Sequence, residues 1–178
     1  MVGPGRQERS WIRGAQAGSV SDLEALFREH WPRAQRAAFL VVHDGAAAED
    51  IAQEAFLAAV RNLDRFDRRR PFGPWLHRIV VNRAIDWARA RALRREAEET
   101  ETGEEFDTGD FGNPFSQGVA AGLATLKPEH RAVIVLRYLL EYTPGEIAEL
   151  LDVPRGTVNS RLRRGLDRLE EIVERERP

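Results

Sequence analysis

Apolar residues recur at helical spacing through most of this chain, and no stretch alternates in the manner of a half-buried strand. From Val158 onward, Val158, Leu162, Leu166, Leu169, Ile172 and Val173 fall on one side of a helix turning about 100° per residue. Gly156, Thr157, Ser160, Arg163 and Arg164 face the other way, with Asn159 and Arg161 on the flanks. Just upstream, Ile147, Ala148, Leu150 and Leu151 supply the buried side of a shorter helix. Thr143 is placed to cap that helix, Pro144 suits its first turn, and Glu146 sits where a capping-box acid belongs. A turn at Asp152-Val153 ends with Pro154, whose fixed φ can start a second helix but not continue the first. The pattern predicts a helix-turn-helix.

The N-terminal half also reads as helix. One segment runs from about Glu8 to Gln16, and another begins near Ser21 with Leu23, Leu26 and Phe27 inward, bending or breaking at Pro32. A third covers Arg33 to Val42 and stops at His43-Asp44-Gly45. Helices over about Ala46–Asn62 and Pro74–Arg94 complete the half. The expected fold is all-α: two small helical domains, the second containing the helix-turn-helix.

Charge changes this picture by dividing the chain. The net charge is −2, yet residues 1–95 hold 17 arginines against 11 acids, residues 96–116 hold eight acids and no base, and residues 117–178 hold ten of each. Local fields rather than the near-neutral total attract a polyanion. Residues 96–116 lack helical periodicity and are rich in Gly, Thr and acids, the composition of a flexible linker. The expected domains are therefore 1–95 and 117–178, joined by 96–116. Phe106, Phe111 and Phe115 suggest that the linker lies against something in at least one state, and its acids could fold onto the basic surface of residues 61–95.

Two surfaces carry the candidate chemistry besides the helix-turn-helix. From Arg61 to Arg95 there are eleven arginines and three acids, interleaved with Phe66, Phe72, Trp75 and Trp87. Basic side chains attract phosphates, and aromatic rings accept unstacked bases. Residues 65–74 are expected to form an exposed loop able to present Phe66 to a base, while Trp75 and Trp87 are expected to pack inward. On the preceding helix, Asp50, Gln53, Glu54, Leu57 and Arg61 form an outward ridge at i, i+3, i+4, i+7 spacing; a leucine within an acidic-polar stripe fits a protein-docking surface as well as a solvated face.

The remaining composition narrows the classes. The chain has no cysteine, so disulfides, thiolate zinc sites and a cysteine nucleophile are excluded. His30, His43, His77 and His130 are scattered singly, and no metal site or cofactor is expected. No run of eighteen apolar residues and no signal pattern is present; the expectation is a soluble cytoplasmic protein without membrane insertion. No nucleophile with its base and no phosphate loop is visible, so an enzyme is not expected. A DNA-binding regulator acting alone and a pure interaction module are among the readings that these residues leave open.

Together these residues resemble the extracytoplasmic-function group of bacterial sigma factors, from about Gln16 to Ile172. Ala48-Glu49-Asp50-Ile51-Ala52-Gln53-Glu54-Ala55-Phe56 is similar to the family's polymerase-docking helix. Phe66-Asp67, Phe72, the run Trp75 to Asn82 and Asp86 are similar to its promoter-melting segment. Leu126 to Arg131, Glu146-Ile147-Ala148 and Gly156 to Leu162 are similar to its upstream-element reader. The resemblance implies roles. Asp50, Gln53, Glu54 and Leu57 would meet the clamp helices of core RNA polymerase, with the polymerase flap as a further contact. Phe66, Arg68, Asn82, Arg83 and Asp86 would engage the minus-ten element. Arg155, Thr157, Asn159, Ser160, Arg161, Arg163 and Arg164 would read the minus-thirty-five element. Promoter DNA and an anti-sigma factor are the further partners it implies. His77 stands where the family often has tyrosine, and Asn159 where lysine is frequent.

Overall fold

The structure, a computed structural model, describes residues 5–98 and 117–175. Among the described residues every regular element is helical. The first half comprises α1 (Arg6–Gln16), α2 (Val20–Val42), α3 (Gly45–Arg61), a 3-10 turn (Leu63–Arg65) and α4 (Phe72–Glu98). The second comprises α5 (Gln117–Thr125), α6 (Pro128–Ile134) running into a π-helical turn (Val135–Leu139), α7 (Pro144–Leu151) and α8 (Arg155–Arg175). The expected linker begins later than its composition implied, because residues 96–98 continue α4; the rest of it, with Phe106, Phe111 and Phe115, lies outside the described residues.

Local chemistry sets the helix ends. The Asp44 carboxylate accepts the Ala47 N–H at 2.9 Å, starting α3 where its sequence placed it, and His43 closes α2 in the left-handed region at φ 52°. Asp44 is held below the usual carboxylate range, chiefly by the Ala47 amide and also by Arg91 at 2.7 Å. At α7 the capping box is complete: the Glu146 N–H donates to Thr143 Oγ1 at 3.3 Å and the Thr143 N–H donates to Glu146 Oε2 at 2.8 Å. Asp152, at φ 54°, makes the left-handed turn into α8.

Three expectations about the elements need correction. The break at Pro32 does not occur: α2 runs through it. Leu26, Ala34, Ala37 and Ala38 are all buried along that one helix, and the exposed Pro32 leaves the carbonyl lacking its donor on the solvent side. Burial of the stripe outweighs one missing backbone bond. Second, α4 starts at Phe72 rather than Pro74, since Phe72 is drawn into the core and Pro74 is tolerated in a first turn. Third, Leu166 is 38 % exposed. The position beside it, Gly165, is the buried one: it packs against Ile134 and His130 of α6, and a Cβ there would stand 2.8 Å from the Ile134 Cδ1 methyl, which would have to move aside.

The two halves share one contiguous core. α2 packs against α5, α6 and the π-helical turn, while α4 packs against α6 and α7. The buried Arg131 guanidinium donates to three carbonyls: Ala124 at 3.2 Å and Leu126 at 2.9 Å in its own half, and Val41 at 2.5 Å in the last turn of α2. Helix-end carbonyls lack intrahelical donors, so this arginine caps α2 from the other half. Burial pulls its pKa down to about 10, still fully charged at neutral pH.

Candidate nucleic-acid and polymerase surfaces

Helix α8 stands on Val158, Leu162 and Leu169, all buried. That anchoring turns Arg155, Asn159, Arg163 and Arg164 to solvent. Thr157 and Ser160 are half-buried, and the Ser160 hydroxyl donates to the Thr157 carbonyl at 2.9 Å. Arg161 is also half-buried, leaning toward α6, where its charge acts on Glu129 and His130. The exposed set can bond base edges and phosphates together. Arg161 is better placed to steady the α6–α8 contact.

Phe66 is not presented to solvent as its loop composition implied. It is 9 % exposed, with its ring centroid 4.6 Å from Trp75 and 5.9 Å from Phe72. Gln16 explains part of this: its side-chain amide donates to the carbonyls of Leu63 at 2.9 Å and Phe66 at 3.0 Å, tying the turn to the end of α1. Arg68 remains exposed. On α4, Asn82 and Arg83 are half-buried and Asp86 is exposed, 3.8 Å from Arg89. Trp75 and Trp87 are half-buried, and the Arg91 guanidinium lies 5.0 Å from the Trp87 ring.

The ridge on α3 lies where it was expected: Asp50, Gln53, Glu54, Leu57 and Arg61 are all exposed. Glu54 meets Arg83 of α4 at 2.5 Å, so the acidic ridge and the basic helix touch. Sequence reading missed what borders the ridge. Val20, Leu23, Phe27 and Val60 line an apolar groove of about 410 Å³ together with Gln53 and Leu57. Val20 is 77 % exposed and Leu57 55 %. The signal was available in Val20 and Val60, apolar residues off the buried stripes of their helices, but only the packing of α2 on α3 brings them together.

Between the halves lies a cleft of about 710 Å³. Phe66, Trp75 and Arg78 contribute from the first half, and Tyr142, Glu146 and Glu149 from the second. His77, buried beneath it, shares a hydrogen bond of 2.7 Å between its Nδ1 and the Tyr142 hydroxyl. Burial, and then the nearby His30 and Arg33, push its pKa down to about 3, so it is neutral. Burial and Glu146 push the Tyr142 phenol up. The departure of His77 from the family's tyrosine was visible in the sequence; its partner, 65 residues away, was not.

The acidic ridge on α3, the basic aromatic turn and the anchored basic helix α8 follow one another in this order along the chain. Residues 26–94 match the family described as Sigma-70 region 2, and residues 122–171 match Sigma-70, region 4. The chain is 37% identical over 141 residues to the ECF RNA polymerase sigma factor SigW of Bacillus subtilis (strain 168), covering 68% of this chain and 73% of that protein. It is 32% identical over 162 residues to the RNA polymerase sigma factor CarQ of Myxococcus xanthus, covering 88% and 91%. The solved structure of CnrH in complex with the cytosolic domain of CnrY superposes with a TM-score of 0.72 at 27% identity, over 96% of this chain and 99% of that one. The chain belongs to the ECF RNA polymerase sigma factors. Among the described residues no helix is long and apolar enough to cross a membrane.

Proposed function

We propose that this sigma factor places core RNA polymerase on promoters by reading two elements with its two halves. Residues 1–95 serve as the polymerase-docking and minus-ten unit, and residues 117–178 as the minus-thirty-five unit. Arg155, Asn159, Arg163 and Arg164 enter the major groove, with Thr157, Ser160 and Arg161 at its border. Phe66 and Arg68 take an unstacked base and its phosphate, while Asn82, Arg83 and Asp86 line the same strand. Asp50, Gln53, Glu54 and Leu57 meet the polymerase clamp helices, and the second half also reaches the flap. The contribution is binding free energy, not bond chemistry: two weak DNA contacts on one chain become strong once polymerase holds both. The single observation that carries the reading is the exposed row Arg155, Asn159, Arg163 and Arg164 on a helix whose opposite side is anchored in the core.

The related CnrH has been solved with the cytosolic domain of a second protein, CnrY. A partner of that kind, the anti-sigma factor the family resemblance implies, is proposed here too. The apolar groove beside the α3 ridge is exposed in the free chain and suits such a contact.

The test is co-elution of the full chain with bacterial core RNA polymerase, comparing wild type with Asp50→Arg/Glu54→Arg. A one-to-one complex that the double variant loses, while keeping its helical spectrum, supports the docking assignment. A complex indifferent to both substitutions, or none with wild type, overturns it.

A further inference from the structure

Helix α8 has a flank as well as a face. At about 100° per residue, Arg164 and Arg161 lie between the exposed Arg163 side and the buried position Gly165. Beyond that flank stands α6, which meets α8 at His130: a Cβ on Gly165 would stand 3.6 Å from His130 Cβ. His130 is half-buried, and the charges of Arg161 and Arg164 both act on its imidazole, as does that of Lys127 at the start of α6. A duplex whose major groove takes Arg155, Asn159 and Arg163 lays its phosphate backbone along the edges of the same helix.

The junction gathers positive charge with little to neutralise it. Among the described residues Lys127, Arg161 and Arg164 make no ion pair. Glu129, the acid that acts on His130, is engaged from α4 by Arg89 Nε at 2.6 Å. Arg131 turns inward to the carbonyls of Val41, Ala124 and Leu126, and Arg168 is taken by Glu171 at 2.8 Å. Helix α5, also packed on α8, carries no charged residue, and Asp167 projects on the opposite side of α8 from Gly165. Burial first, with Arg161, Lys127 and Arg164 adding to it and Glu129 opposing, holds the His130 imidazole below its ordinary range. In the free protein at neutral pH the ring is therefore mainly uncharged. An anion arriving among these cations reverses the sign of the field the ring feels.

From this placement we infer that His130 is a further DNA-contacting residue: with Arg161 and Arg164 it holds one backbone phosphate at the α6–α8 junction, and it does so as the imidazolium. The inference rests on the proposed reading of duplex DNA by α8. Phosphate binding and protonation of His130 favour each other, so the complex carries a proton, taken from solvent, that the free protein lacks. Duplex affinity therefore rises as pH falls below neutrality. His43 and His77, uncharged until about pH 3, contribute nothing in that range. A phosphate carries no sequence information, so the contact strengthens binding to every duplex alike.

The experiment measures binding of the full chain to a fluorescein-labelled duplex of mixed sequence, by anisotropy at low salt, where phosphate contacts are strongest. Wild type is expected to bind roughly fivefold more tightly at pH 6 than at pH 8. His130→Gln, which stays polar but does not titrate, is expected to keep the weaker affinity at both values and to lower the salt slope at pH 6 by about one unit. His130→Arg, charged throughout, is expected to bind tightly at both. Urea midpoints check that each variant folds as wild type does. Wild-type affinity that does not change between pH 8 and pH 6 overturns the inference. So does a His130→Gln chain that retains the wild-type pH dependence, because the proton then lies elsewhere, and so does a His130→Arg chain no tighter than wild type at pH 8. Arg155→Ala/Arg163→Ala tests the underlying assignment by itself: unchanged affinity there sinks the reading by α8, while weakened affinity with the wild-type pH ratio supports both. No binding by wild type at either pH sinks both.

Discussion

Two basic surfaces of this sigma factor are proposed to touch DNA, and the fold treats them in opposite ways. On α8 Arg155, Arg163 and Arg164 are exposed over a buried Val158–Leu162–Leu169 side, while around Phe66 the aromatic group is buried and an acidic helix forms the facing wall. A duplex offers its edges to any helix that fits the groove, so a reader helix can be ready in advance. An unstacked base exists only once the duplex is opened, and an exposed aromatic floor would otherwise bind any single strand or apolar surface it met. The difference teaches that readiness on one surface and concealment on the other can coexist in a single chain with a single shared core.

Breaking the closed side should have the largest effect. Arg131→Ala leaves the buried carbonyls of Val41 and Leu126 and the part-buried one of Ala124 without their donor and is expected to cost about 3–5 kcal/mol, read as a lowered urea midpoint. Acid should act on the same side. His43 and His77 are both pulled from 6.5 to about 3 by burial, with Arg131 adding to the effect on His43 and His30 and Arg33 on His77. Since the unfolded chain binds more protons between those values, stability is complete above about pH 6.5 and falls as pH drops toward 3. Near pH 5 the loss is about 2 kcal/mol for each histidine, and urea titrations across that range should show it.

On the reader side, effects on folding should be smaller. Thr143→Ala removes the capping box that starts α7 and is expected to cost about 1 kcal/mol, measured by thermal unfolding. Arg163→Ala/Arg164→Ala should leave stability within about 0.5 kcal/mol while flattening the salt dependence of duplex binding by about one unit for each phosphate these arginines neutralise. A large drop in stability in that double variant would break the comparison, because it would mean that the open face is also part of the scaffold.

Helix caps explain why much of this was legible beforehand. Thr143 with Glu146, Asp44 with Ala47 and the left-handed His43 and Asp152 involve residues only a few positions apart, so their chemistry is written locally. The α3 ridge followed from periodicity for the same reason. Pro32 misled because a local penalty was weighed without the burial of Leu26, Ala34, Ala37 and Ala38 that opposes it. Leu166 misled because an angular projection does not show that Ile134 of α6 packs over the neighbouring Gly165.

By itself the sequence determined most of the helical segments of the first half, the helix-turn-helix, the division of charge and the family, since each rests on residues near one another in the chain or on motifs in order, while α5 and α6 were not read from it. Only the tertiary structure decided that Phe66 is buried, that His77 meets Tyr142 and that Arg131 caps α2 across the two halves. Those last two contacts join positions 65 and 90 residues apart, and which distant groups are desolvated together is set by how the helices pack.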